Sequence, residues 1–156
     1  MKEYIKQAMR TCPNPGDPEA MMNHAGFGLC AEIEEVFSAW GDRNHLLREL
    51  GDVLWMCAEM AAALRVSLWP EHVDRSIRSL ASQIAGILQK KYQGHPVYRS
   101  EVQELLCGIV GGIQTIAENV ESSLEEIEEI NITKLEKRYP TGFSTDLSLS
   151  RADDDI

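Results

Sequence analysis

Four carboxylates stand at spacings that can do metal chemistry. Glu32 and Glu35 are three residues apart, and so are Glu49 and Asp52. On an α-helix, residues three apart share a face, one turn from each other. The break at Gly41-Asp42-Arg43-Asn44 is short, so the helices on either side of it must run antiparallel as neighbours. Both pairs then point into one interhelical groove. Carboxylates gathered there raise one another's pKa unless a cation neutralises them. Hard oxygen donors of this kind suit Mg²⁺, or Mn²⁺, and leave positions open for water and phosphate oxygens. A metal so held stabilises charge on a phosphate and lowers the pKa of an attacking water.

An ExxE pair is also what a solvated helix face carries, because Glu is a good helix former. The company of the second pair argues otherwise. Leu46, Leu47, Leu50, Val53, Leu54, Trp55 and Met56 surround it, and Asp is a poor helix former. Glu59 shares the face of Asp52 seven residues on, as an outer ligand or as a solvated acid. Lys134 and Arg138 are four apart and can bind triphosphate oxygens, Arg as a bidentate fork; the alternative is pairing with the Glu125–Glu129 run. Lys90 and Lys91 beside Gln93-Gly94-His95 can reach phosphate, or form a solvated helix end where positive charge is favoured. His24, two turns before the acids, is a substrate contact or a partly buried histidine with its own partner. Trp40 and Trp55 either stack on a base or pack in the core.

The elements that must position these side chains are helical. Apolar residues recur at helical spacing, and no Asn-Gly or Asp-Gly hairpin joins apolar runs. The expected fold is all-α, a bundle of about five to six helices. A short helix covers 2–10, and CPNPGDP at 12–18 turns the chain. A helix from Pro18 or Glu19 to Trp40 follows, with Pro18 in its first turn. Asp42 or Asn44 caps the next, at about 44–65. Trp69-Pro70 opens a third long helix reaching Tyr92, Gln93-Gly94-His95-Pro96 breaks it, and helices at about 99–120 and 123–138 complete the set. The segment 145–156 reads as a flexible tail, frayed at 151–155.

There is also a weak internal repeat. LCAEIEEV (29–36) and LLRELGDVLWM (46–56) are echoed by LASQIAGI (80–87) and EVQELLCGIVG (101–111). One domain, 1–156, then holds two antiparallel hairpin-like halves, 18–68 and 69–144, about a pseudo-two-fold axis. Gln83 and Gly86 take the places of Glu32 and Glu35, and Cys107 takes that of Asp52. The second half has kept helices and lost acids.

Charge and composition narrow the class. The 156 residues suit one domain, and 44% hydrophobic with 26% charged residues is ordinary for a globular chain. A net charge of −10 argues against nucleic acid or an anionic membrane surface as partner. The first residues carry no apolar signal region, and no apolar run approaches the roughly 20 residues that span a bilayer. Four cysteines are scattered without a CxxC pair; Cys30, Cys57 and Cys107 sit in apolar helical context and read as buried, reduced thiols. A cytoplasmic location is expected.

The residues also carry a resemblance. AGFGLCAEIEEV followed by RELGDVLWMCAEMA resembles the MazG-like branch of the all-α NTP pyrophosphatases, as do YQGHP at 92–96 and NITKLEKRYPTGFS at 131–144. The resemblance implies Mg²⁺-dependent hydrolysis of a nucleoside triphosphate between its α and β phosphates, giving monophosphate and pyrophosphate. It implies Glu32, Glu35, Glu49 and Asp52 as metal ligands and catalytic acids. It adds Asn131, Lys134, Arg138 and Tyr139 as substrate-binding groups, with His24 and Lys91 as further candidates. Family members usually pair subunits to build the site. Here the first half holds the acids and the second holds Asn131, Lys134, Arg138 and Tyr139, so one composite site per chain is expected, an arrangement similar to that of dimeric dUTPases. A homodimer and nucleotide-pool house-cleaning follow as expectations. The competing expectation is a catalytically inactive helical module that binds a nucleotide or a partner.

Overall fold

The computed structural model describes residues 1–150. Among them are seven α-helices: α1 Lys2–Ala8, α2 Pro18–Ser38, α3 Arg43–Leu64, α4 Ile77–Tyr92, α5 Arg99–Asn119, α6 Leu124–Arg138 and α7 Thr145–Leu149. A 3-10 turn, Met9–Thr11, extends α1. The fold is all-α, and no helix among the described residues is long and apolar enough to cross a membrane.

Side-chain caps set most helix starts. Asp17 accepts from the Ala20 amide ahead of Pro18 and opens α2. Asp42, not Asn44, caps α3 through the His45 amide. Ser76, Ser123 and Ser144 do the same for α4, α6 and α7. Each such oxygen satisfies a donor that the helix itself leaves unpaired, worth about 1 kcal/mol.

The centre of the bundle is α3. Its Leu46, Leu47, Leu50, Val53, Leu54, Cys57, Ala58 and Ala61 are buried, and each large one adds about 2 kcal/mol of apolar burial. It packs against α2, α5, α6 and α1. α4 packs on both α2 and α5, and α3 packs on α5 as well as on α2. α6 lies across α3 at the level of Gly51, where an added Cβ would sit 3.0 Å from the Asn131 side chain.

Three expectations change. The third long helix starts at Ile77 rather than at Trp69-Pro70. Arg65 ends α3 in the left-handed region at φ 56°, and the chain then crosses α5 as an extended strap. There the Glu71 amide donates to the Cys107 carbonyl (3.0 Å), and Gln103 Nε2 donates to the Ser67 carbonyl (2.8 Å). Gly111 is required beneath it, because a Cβ there would come to 2.0 Å from the Glu71 carbonyl oxygen. The strap therefore rests on the α5 positions that correspond to Asp52 and Met56 of the first half. In the tail, Thr145–Leu149 form α7, while the expected fraying at 151–155 lies outside the described residues. Finally, Cys30 is exposed on the outer face of α2, whereas Cys12, Cys57 and Cys107 are buried.

Candidate metal centre

Two helices deliver the acids. Glu32 comes from α2, and Glu49 and Asp52 come from α3. One carboxylate oxygen from each lies within 4.8 Å of the others. Glu35 lines the same cavity one turn from Glu32 but stands exposed at its edge, outside that close set of three. The expected four acids are thus gathered as three inner carboxylates and one outer one.

The second half of the chain reaches the same point. Lys134 Nζ lies 2.6 Å from Asp52 Oδ2, and Asn131 Nδ2 donates to Asp52 Oδ1 at 3.3 Å. Asn131 is itself buried, and its amide oxygen accepts from Tyr4 Oη at 2.9 Å. Arg138 and Tyr139 line the cavity as well, and Tyr139 packs against Phe143 with ring centroids 5.5 Å apart. The α6 residues are therefore near the acids, as a composite site demands. The alternative pairing of Lys134 with the Glu125–Glu129 run gives way to Asp52.

Burial and like charge act together on the acids. Removal from water, then repulsion by Asp52, Glu35 and Glu49, pushes the Glu32 carboxyl up to about 7, with Lys134 opposing. Glu49 is raised for the same reasons, burial first and Asp52 second, while Lys134 lowers it. The carboxylates outnumber the one ammonium paired with them, an excess of negative charge that a cation can neutralise. The three clustered donors are carboxylates, hard oxygens that suit Mg²⁺ or Mn²⁺, with the His45 nitrogen beside Glu49.

The cavity has a volume of about 750 Å³. The acids and His45 line it, as do Thr11, Pro13, His24, Trp55 and Met56. Trp55 is held by its indole N–H, which donates to Thr11 Oγ1 (3.1 Å) and to the Ala8 carbonyl (3.2 Å). Trp40 lies elsewhere, 60% exposed. Lys91 is not among the residues that line the cavity: its ammonium pairs with Glu19 at 2.7 Å, the solvated helix-end role. Lys90 is exposed, and Lys91 is half-buried.

Three participants are new. His45 Nε2 lies 3.1 Å from Glu49 Oε1; their spacing of four residues on one helix is a signal the sequence did offer. Tyr4 comes from α1, and nothing in its local sequence points to the site; Phe143 belongs to the 131–144 segment that already carries the resemblance. Glu59 is neither solvated nor an outer ligand. It is fully buried, with Oε2 2.7 Å from His24 Nδ1 and Oε1 accepting from Cys12 Sγ at 3.5 Å.

No protein-family model, curated protein or solved structure matches this chain.

Proposed function

We propose that the chain is a Mg²⁺-dependent nucleoside triphosphate pyrophosphohydrolase of the MazG-like type, cleaving between the α and β phosphates of an NTP or dNTP. One observation carries the reading. Lys134 and Asn131, from the NITKL segment of the second half, meet Asp52, from the ELGDVLW segment of the first half, where Asp52 and Lys134 line one acid-lined cavity. Glu32, Glu49 and Asp52 are the metal-holding residues in this account, with Glu35 as an outer acid. A bound Mg²⁺ would supply charge neutralisation at the phosphates and a more acidic water. The protein's own groups do the rest. Lys134 and Arg138 attract and orient the triphosphate. Asn131 fixes the Asp52 carboxylate, and a glutamate of the cluster takes the proton of the attacking water. The product set is nucleoside monophosphate and pyrophosphate, which suits removal of unwanted nucleotides from the pool, with a homodimer in the cytoplasm as the expected assembly and place.

A second reading has one observation in its favour. The Lys134 ammonium already stands 2.6 Å from Asp52 and can serve as an internal counter-ion, as in an inactive nucleotide-binding module. The assay that separates the two follows pyrophosphate and orthophosphate release from a panel of canonical and modified NTPs and dNTPs, with Mg²⁺ or EDTA, on wild type and Glu49→Ala. Metal-dependent pyrophosphate release, lost in Glu49→Ala, is the expected result. Nucleotide binding without any release would select the inactive module, and orthophosphate as the product would refute α–β cleavage.

A further inference from the structure

Glu59 and His24 form a second polar unit in the cavity wall that the phosphate chemistry does not use. A carboxylate wholly withdrawn from water needs compensating charge and hydrogen bonds. Glu59, 0% exposed, has two such partners among the described residues: His24 Nδ1 at 2.7 Å and the Cys12 thiol at 3.5 Å. The thiol is neutral, and burial pushes it up to about 11. His24 is therefore the group that balances Glu59. The hydrogen bond that His24 donates to Glu59 also raises the His24 pKa, opposed by burial and helped by the charges of Glu59 and Glu32.

The ring is fixed twice. Its Nδ1 is tied to Glu59, and it stands edge-on to Trp55, at 5.9 Å between centroids and 87° between planes. What remains is Nε2, on a side chain 43% exposed at the cavity wall. Glu59 follows Asp52 by two helical turns on α3, about 10 Å along the axis. That spacing along the wall is about the reach from the α-phosphate of a nucleotide to its base. Pro13, Trp55 and Met56 line the same cavity, apolar surface that suits the flat face of a base.

We infer that the buried Glu59 holds His24 as an imidazolium, whose Nε2–H donates to an acceptor on the nucleoside half of the substrate. Glu59 is then a positioning residue and His24 a substrate contact. The ligand chemistry is a nucleoside monophosphate unit whose base or sugar presents an oxygen or ring-nitrogen acceptor. This rests on the nucleotide reading above.

The test is binding of nucleoside monophosphates and, separately, of Mg²⁺-pyrophosphate, by calorimetry on the full chain, with imidazole ¹⁵N spectra of the same samples. Variants are His24→Gln, Glu59→Gln and the double His24→Gln/Glu59→Gln, which leaves no unpaired buried charge and guards against misfolding. Wild type should bind at least one monophosphate, with His24 doubly protonated at neutral pH and its Nε2 signal shifting on saturation while those of His72 and His95 stay put. All three variants should lose about tenfold in monophosphate affinity, the worth of one hydrogen bond to a charged donor, and keep Mg²⁺-pyrophosphate affinity. Equal monophosphate affinity in wild type and the double variant would overturn the inference and leave the enzyme reading standing. A neutral His24 would overturn it too. Failure of wild type to bind both probes would remove the nucleotide reading, and this inference with it.

Discussion

Replacing Glu32 by Gln removes a negative charge from the acid cluster and keeps the side chain's shape. In the folded protein without metal, burial and the neighbouring acids raise the Glu32 carboxyl from 4.5 to about 7. A raised carboxyl binds its proton more tightly when folded than when unfolded, so stability is full below pH 4.5 and declines as pH rises, the loss being complete above about 7. Such a shift corresponds to about 3 kcal/mol. Glu32 is only partly buried, and solvent screening brings the figure to about 2 kcal/mol. For a domain of this length that is about 4–8 °C in Tm. In EDTA at pH 8, Glu32→Gln should therefore melt above wild type by that margin, and at pH 4 the two should coincide. Mg²⁺ at a hundred times its dissociation constant should add about 2.7 kcal/mol to wild type and distinctly less to the variant. Circular-dichroism melts at the two pH values, with EDTA or Mg²⁺, give all four numbers. If Glu32→Gln melts below wild type at pH 8 in EDTA, Glu32 is making a stabilising interaction and the repulsion argument is wrong.

Three further substitutions probe the supports of the site. Lys134→Met strips Asp52 of its ammonium partner, so the metal-free protein should lose about 2 kcal/mol near neutral pH, part of it regained with Mg²⁺; a melt that moves equally with and without Mg²⁺ would contradict the link. Tyr4→Phe leaves the buried Asn131 oxygen without the donor it has at 2.9 Å. It should cost about 1–2 kcal/mol in a urea titration, whereas a cost near zero would mean that water replaces the hydroxyl. Gly111→Ala forces a methyl against the Glu71 carbonyl and should cost about 3 kcal/mol. Mg²⁺ affinity should stay unchanged, since the strap lies on the second half; calorimetry checks that.

Much of the scaffold is legible because its signals are local. Asp17-Pro18, Asp42 and Ser123 mark helix starts by their own hydrogen bonds, and the acids announce one face by spacing alone. The strap at 65–76 is not legible this way. Trp69-Pro70 has the chemistry of a helix start, but backbone and side-chain bonds to α5 hold the chain extended until Ser76. Those partners lie 36 residues downstream in sequence, beyond any local pattern. Glu59 misleads for a related reason. An acid on a helix usually faces water, and its burial depends on His24 and Cys12, which come from α2 and the preceding turn. Lys91 shows the converse: two lysines beside a Gly-His turn resemble a phosphate site, yet Glu19 on α2 is the nearer anion. Asn131 and Lys134 share one helix, and only the packing of α6 across Gly51 brings them to Asp52.

The most direct test of the metal centre is a crystal grown with Mn²⁺ and a nucleotide whose α–β bridging oxygen is replaced by an NH group, measured at the manganese absorption edge. The account predicts an anomalous peak bonded to oxygens of Glu32, Glu49 and Asp52, with triphosphate oxygens completing its coordination and Lys134 displaced towards the phosphates. A cluster without metal, with Lys134 still closed on Asp52 and the nucleotide absent or bound elsewhere, would contradict it.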